Sequence, residues 1–187
     1  MTLLPRTIRL DQSDAVIFAP AAEPGEWAVP GTFLFADRPA QSLSRKDLIA
    51  FRSGFLGVDS FGFSTLVVVS LASEEERAAL VETLAGQFVA RLGAPDVETA
   101  RPAAEEEVAL AQDLCRGHDV GTLIALHRTH EPEGVRERFR TLKPRDETAF
   151  SAGYLRGHDR AFHLVETDEE GDDAHEVDLL GLRERGP

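Results

Sequence analysis

The clearest pattern in the chain is an apolar run followed by a helical periodicity. The segment 65–71, in which Leu66, Val67, Val68 and Val69 are consecutive, predicts a strand buried on both faces. Ser73 and Glu76 then have the spacing of a capping box, and Gly93 is a helix-ending residue. Between them, apolar residues recur at every fourth position: Leu80, Leu84, Phe88 and Leu92. The sequence therefore predicts a strand and then an amphipathic helix over 73–93.

Weaker patterns predict the other elements. Helices are expected over 44–54 and over 102–116, the second with Pro102 in its first turn. A buried strand is expected over 121–127. Shorter strands are expected at 7–10, 15–18, 32–36, 162–167 and 176–180. This mixture predicts an α+β fold, with a mixed or antiparallel sheet and helices packed on one face.

The domain organisation follows from length and from the acidic end of the chain. A chain of 187 residues fits a single domain, which we place at 1–167. Residues 168–178 hold seven acids in eleven positions, without the residue pattern of a calcium loop. We interpret 168–187 as an acidic C-terminal segment, with a hairpin turn at 169–173 and a final strand.

Composition narrows the function classes. The chain has 33 acidic residues against 20 Lys and Arg, a net charge of −13, which argues against nucleic-acid and anionic-membrane partners. The single cysteine, Cys115, excludes an intrachain disulfide and favours a reducing compartment. No signal peptide or long apolar run is present, so we expect a cytoplasmic protein.

One basic island interrupts the acidic half of the chain. Residues 128–145 carry six basic and three acidic residues. If 134–142 is helical, Arg136 and Arg140 share a face and, with Lys143, form a candidate site for a phosphate or carboxylate. The alternative is that these cations pair with the protein's own surplus of acids.

A second candidate is a metal site. The residues Cys115, His118, His127 and His130 supply thiolate and imidazole groups of the kind that bind zinc. The spacing is unfavourable, since His127 and His130 face opposite sides of a strand, and Cys115 lies on the apolar face of its helix. We therefore predict no cofactor, with zinc as the alternative.

The third candidate is aromatic. The segment 51–63 holds four Phe and three Gly, and the glycines allow a sharp turn or a close backbone approach. Trp27 lies alone in a Pro/Gly-rich loop. Side chains of this kind are either core or the anchors of a protein interface, and we take the candidate contact to comprise Trp27, Phe55, Phe61 and Phe63.

Three segments carry a resemblance to a known family. They are AAEPGEWAVPGTF (21–33), AFRSGFLGVDSFG (50–62) and RFRTL (138–142). The chain resembles small alphaproteobacterial proteins grouped as a domain of unknown function. The resemblance assigns no catalytic or binding residue and implies an accessory role.

The sequence leaves two hypotheses about the function. The first is a non-catalytic protein-binding or accessory factor, with homo-oligomers also possible. The second is a small-anion or metal-binding protein, which includes an enzyme. The sequence does not decide whether the protein catalyses a reaction.

Overall fold

Strand β5 (Leu66–Ala72) is the apolar run of the sequence, and it lies inside a five-stranded sheet. A computed structural model describes residues 1–144 and 164–167 of the chain. The order across the sheet is β1 (Thr2–Ile8), β5, β6 (Leu123–Glu131), β7 (Gly134–Pro144) and β8 (Leu164–Thr167). All neighbouring strands are antiparallel, which confirms the predicted α+β class.

A smaller sheet adjoins the outer side of β1. Its strands, also antiparallel, are β2 (Ala28–Val29), β3 (Phe55–Gly57) and β4 (Phe63–Ser64). The two sheets are linked where Thr7 N donates to the Glu26 carbonyl at 2.9 Å. The predicted helix at 44–54 is α2 (Arg45–Ser53), which begins at Ser44 because that hydroxyl accepts from the Asp47 backbone N–H.

The two long helices follow β5. Helix α3 (Glu74–Leu92) has the predicted capping box between Ser73 and Glu76, and Gly93 ends it in the left-handed conformation, with φ 77°. Helix α4 (Val97–Cys115) packs against β1 and β2, and α3 packs against α4. One stripe of α4 is buried: Ala100, Ala104, Val108, Ala111 and Cys115.

The N-terminal third differs most from the prediction. The strand expected at 15–18 is wrong, because those residues fall largely in helix α1 (Ser13–Ile17), where the Asp14 carboxylate accepts from Thr65 N and Oγ1. The strand expected at 32–36 is a 3₁₀ turn over Thr32–Leu34, which follows Gly31 at φ 76°. Helix α4 also begins earlier than predicted, because Asp96 caps it, and Pro102 lies inside it.

The strongest correction concerns the basic island. Residues 134–142 are not helical, because they belong to β7, which pairs with β6 from Leu123↔Leu142 to Glu131↔Gly134. The strand expected at 162–167 is observed as β8, and its partner is β7. The segment 176–180, which was expected to pair with it, lies outside the described residues.

The strand alternation of β5 and β6 defines an inner face. Val67, Val69, Ile124 and Leu126 are buried together, with Phe55 of β3 and Cys115 of α4. Residues between them, such as Val68 and Ala125, are only half-buried. The hairpin β6–β7 therefore presents one face to the core and the other outward.

Candidate functional site

The aromatic residues predicted as partner contacts are mostly core. Phe55 has no exposed surface and Phe61 is 9% exposed, while Trp27 and Phe63 are half-buried against the same core. The Arg6 guanidinium covers one face of the Trp27 ring, 3.5 Å from its centroid. This fold offers no exposed patch formed by all four residues. Partner binding through them stays a prediction, and it would require the segment to open.

Close backbone packing explains the glycines of the aromatic segment. A Cβ at Gly57 would lie 2.5 Å from Cδ of Glu26, and one at Gly62 would lie 2.5 Å from the backbone carbon of Ala21. The buried Glu26 carboxylate accepts from both Ser60 N and Ser60 Oγ. The glycines therefore allow two loops to pack together, which is a structural role.

The residues of the predicted zinc site do not converge. Cys115 is fully buried in the core, and burial raises the pKa of its thiol to about 12. His127 and His130 lie on opposite faces of β6, and His130 stacks on Phe51 with ring centroids 4.1 Å apart. Within 1–144 and 164–167, no group of three or more His, Cys, Asp or Glu side chains is arranged to hold a metal ion.

The core face of the hairpin contains a buried cation that the sequence analysis missed. Arg128 has no exposed side-chain surface, and its Nε donates to Glu137 at 2.8 Å and to Thr32 at 3.0 Å. Its Nη1 donates to the Phe51 and Gly54 carbonyls, both at 3.0 Å, and its Nη2 donates to the carbonyl of Pro30. Arg128 thus ties β6 to the end of α2 and to the turn before Thr32.

Strand alternation in the sequence could have predicted which face of the strand Arg128 lies on. Ile124, Leu126 and Arg128 fall at every second residue, so a strand that continued past 127 would place all three on one face. Because its partners satisfy every nitrogen of the guanidinium, we assign Arg128 a structural role.

A carboxyl of α4 lies close enough to interact with this buried pair. Burial and, to a smaller extent, the negative charge of Glu137 raise the pKa of Glu107 to about 7, whereas Arg128 opposes the shift. Burial also lowers the pKa of Arg128, against the effect of Glu137. Two acids, Glu107 of α4 and Glu137 of β7, therefore lie near one cation, Arg128 of β6.

The outward face of the hairpin carries the arginine row, which we define as Arg136, Arg138 and Arg140. These residues alternate with Val135, Glu137 and Phe139, and all three arginines are exposed. In the register they lie opposite Thr129, His127 and Ala125 of β6. Arg136 forms an ion pair with Glu131 at 3.2 Å, and Arg138 has no ion pair within the described part of the chain.

The row lies along one edge of β7. Among the residues that the structure describes, β7 pairs with β8 from Thr141 to Pro144. Among the described residues, no strand pairs with the outer edge of 134–140. An unpaired edge presents backbone N–H and C=O groups to any extended chain that approaches it. Within the described residues, the row and this edge therefore lie side by side on one strand.

The strand geometry changes the kind of anion that the site suits. Successive arginines of the row are about 6.6 Å apart along β7, and Arg136 and Arg140 are about 13 Å apart. On a helix the two would have been neighbours on one face. Lys143 lies in the same strand opposite Val165, and its side chain is outside the described residues. The spacing suits a row of carboxylates better than a single phosphate.

Comparison with known proteins identifies a family without an assigned activity. Residues 1–155 match the model described as "Family of unknown function (DUF6505)", so the chain belongs to that family. No curated protein and no solved structure is detectably similar to it. No helix in the described residues has the length and apolar character needed to cross a bilayer.

Proposed function

We propose that this protein is a non-catalytic binding factor that takes up an extended acidic segment of another protein along the edge of β7. The observation that carries the proposal is the alternation of Arg136, Arg138 and Arg140 on an exposed face, beside an edge that no described strand pairs. An added strand gains main-chain hydrogen bonds from such an edge, and its alternate side chains provide specificity.

The charge distribution supports an acidic peptide as the ligand. The whole chain has a net charge of −13, so a long polyanion such as a nucleic acid would be repelled by the rest of the surface. A short segment that contacts only the hairpin meets the arginine row and His127. Carboxylates at every second residue of such a segment would each lie opposite one arginine.

A peptide titration tests this function. The probe is a fluorescein-labelled octapeptide of alternating Thr and Glu, and the matched control probe has Gln in place of each Glu. We expect the Glu probe to bind and Arg138→Gln to weaken that binding by about fivefold. Added salt should weaken it further, because the site is exposed to solvent.

The variant control is Arg52→Gln, which removes an exposed arginine at the end of α2. This substitution should leave the affinity for the Glu probe unchanged. Equal binding of the Glu and Gln probes, or an Arg138→Gln variant with the wild-type affinity, would refute the proposal. If inorganic phosphate alone raises the melting temperature and Arg136→Gln abolishes that effect, the protein is a small-anion-binding protein instead.

A further inference from the structure

Strand alternation gives a segment that binds along β7 two different faces. In the function proposed above, every second residue of the partner lies over the arginine row. The residues between these acids then project to the opposite face of the sheet, which is the inward side of β7. That side carries Val135, Glu137 and Phe139, so it decides which residues the partner can place between its acids.

The inward side of β7 is unfavourable for further acids. Its cation is Arg128, whose side chain has no exposed surface and whose guanidinium nitrogens all donate to protein oxygens. Glu137 is the carboxylate partner of Arg128, and Glu107 of α4 is a second acid that interacts with this pair. A carboxylate of the partner on this side would therefore meet two like charges and a cation that is already engaged.

The exposed group on the inward side is aromatic. Phe139 is 38% exposed, whereas Phe55, whose ring centroid lies 6.4 Å from that of Phe139, has no exposed surface. Phe139 also lies opposite Leu126, which belongs to the same buried cluster as Phe55. Phe139 thus extends the core to the surface of β7, where an apolar side chain of a partner would cover it.

Helix α4 adds a second apolar residue beside this side of the hairpin. Glu107, Leu110 and Leu114 are spaced three and four residues apart, so they form one stripe of the helix. Glu107 interacts with the buried ion pair of the hairpin, and Leu114 packs against the cluster that contains Phe55. Leu110 lies between them and is 55% exposed. Leu110 and Phe139 therefore border the inward side of the hairpin from two elements.

We infer that the partner segment alternates acidic with apolar residues, with its acids over the arginine row and its apolar side chains against Phe139 and Leu110. This inference deepens the function proposed above and rests on it. The two faces of β7 differ in chemistry, because exposed arginines lie on one and an exposed phenylalanine on the other. The reversed placement would bring acids to Glu137 and apolar residues to the arginines, so these contacts also fix which face of the partner points inward.

A pair of matched probes tests the inference on the full-length protein. The first is a fluorescein-labelled octapeptide of alternating Val and Glu, and the second is the alternating Thr–Glu octapeptide. Val and Thr are similar in shape and both favour strands, so the probes differ mainly in apolar character. We expect the wild type to bind the Val–Glu probe about fivefold more tightly, as measured by fluorescence polarisation.

The outcomes separate the inference from the proposed function. Equal affinities for the two probes would overturn the inference and leave the function standing. Absence of binding by both probes would overturn the function and the inference together. Arg138→Gln should weaken both probes by the same factor, because its side chain lies on the outward face and does not contact the residues between the acids.

Substitutions on the inward side locate the apolar contact. Phe139→Thr should bring the affinity ratio of the two probes to about one and leave the affinity for the Thr–Glu probe within about twofold. The matched control is Leu92→Thr, which removes an exposed leucine at the end of α3 and should keep the ratio at its wild-type value.

A second variant leaves β7 unchanged. Leu110→Gln, at an exposed position of α4, should also lower the ratio, and urea denaturation establishes that each variant is folded. A wild-type ratio in both Phe139→Thr and Leu110→Gln would place the apolar contact elsewhere and overturn the inference.

Discussion

Two arginines of one hairpin differ completely in their surroundings. Arg128 is fully buried and donates to three backbone carbonyls, to Thr32 and to Glu137. Arg138, on the neighbouring strand, is exposed on the other face. Strand alternation alone separates the two roles, so identical substitutions at these positions should have very different effects.

We expect Arg128→Gln to lower the free energy of unfolding by about 3–5 kcal/mol, because it leaves buried carbonyls and Glu137 without their donor. Arg138→Gln is the matched control and should change that free energy by less than about 0.5 kcal/mol. Urea denaturation of both variants at pH 7 measures the difference. Equal losses in the two variants would show that Arg128 does not have the role we assign.

A second residue-scale prediction concerns Glu107. Its pKa is raised to about 7 in the folded protein, mainly by burial, so the native state binds this proton more tightly than the unfolded state. The Glu107 side chain therefore lowers the free energy of unfolding at high pH. This stability is lost as the pH rises from the ordinary carboxyl pKa through about 7.

Replacing Glu107 by Gln should remove this loss. We expect Glu107→Gln to raise the free energy of unfolding by about 1–3 kcal/mol at pH 8 and to change it little at pH 4. The exposed Glu105→Gln on the same helix is the control and should have a small effect at both values. Urea titrations at several pH values give the comparison, and a pH-independent effect of Glu107→Gln would contradict the raised pKa.

At the scale of elements, β7 shows why the basic island was mistaken for a helix. Arg136 and Arg140 are four residues apart, which suits one face of a helix, and Val135 and Phe139 repeat the same spacing. The true period of two was hidden by Glu137, a charged residue on the inward face. Its inward position depends on Arg128, a partner nine residues away in sequence on another strand. Such a contact is not visible in the local pattern.

The capped helices were easier to predict because their signals are local. Ser73, Glu76 and Gly93 lie within or beside α3, and each has the predicted role. By contrast, the loops that hold Trp27 and Phe61 depend on contacts between distant segments, such as that of Gly62 with Ala21. Sequence spacing therefore predicted α3 well, the start of α4 less well and the N-terminal third poorly.

Two glycine substitutions distinguish these segments. Gly62→Ala should lower the free energy of unfolding by about 1–3 kcal/mol, because the new Cβ would lie 2.5 Å from the Ala21 backbone. Gly86→Ala, inside α3, meets no atom within 4 Å and should raise it by about 0.5–1 kcal/mol. Thermal or urea denaturation measures both, and a destabilised Gly86→Ala variant or an unaffected Gly62→Ala variant would contradict this packing.

At the scale of the whole molecule, the sequence predicted the class of fold and named Arg136 and Arg140 as candidate site residues, but it did not place them beside a strand edge. Apolar periodicity and total charge are properties of single segments or of the entire chain, and they supported an α+β protein with an acidic surface. The candidate site instead depends on how far β8 pairs along β7 among the described residues. That property follows from the order of strands across the sheet, which no segment reveals by itself.

The position of the arginine row also bears on solubility. Charged side chains along an open edge oppose pairing between the edges of two molecules. The double variant Arg136→Thr with Arg138→Thr keeps strand-forming residues but removes two of these charges. We therefore expect it to self-associate at concentrations where the wild type does not, as measured by light scattering and sedimentation velocity.

The matched control is Arg45→Thr with Lys46→Thr, which removes two exposed positive charges from the first turn of α2. Both double variants have the same net charge, so a general effect of charge on solubility would act equally on them. Self-association of the β7 variant alone would identify the edge as its cause, because only that variant alters the strand. Equal self-association of the two would mean that the arginines of β7 affect self-association only through net charge. Their specific function would then be ligand binding alone.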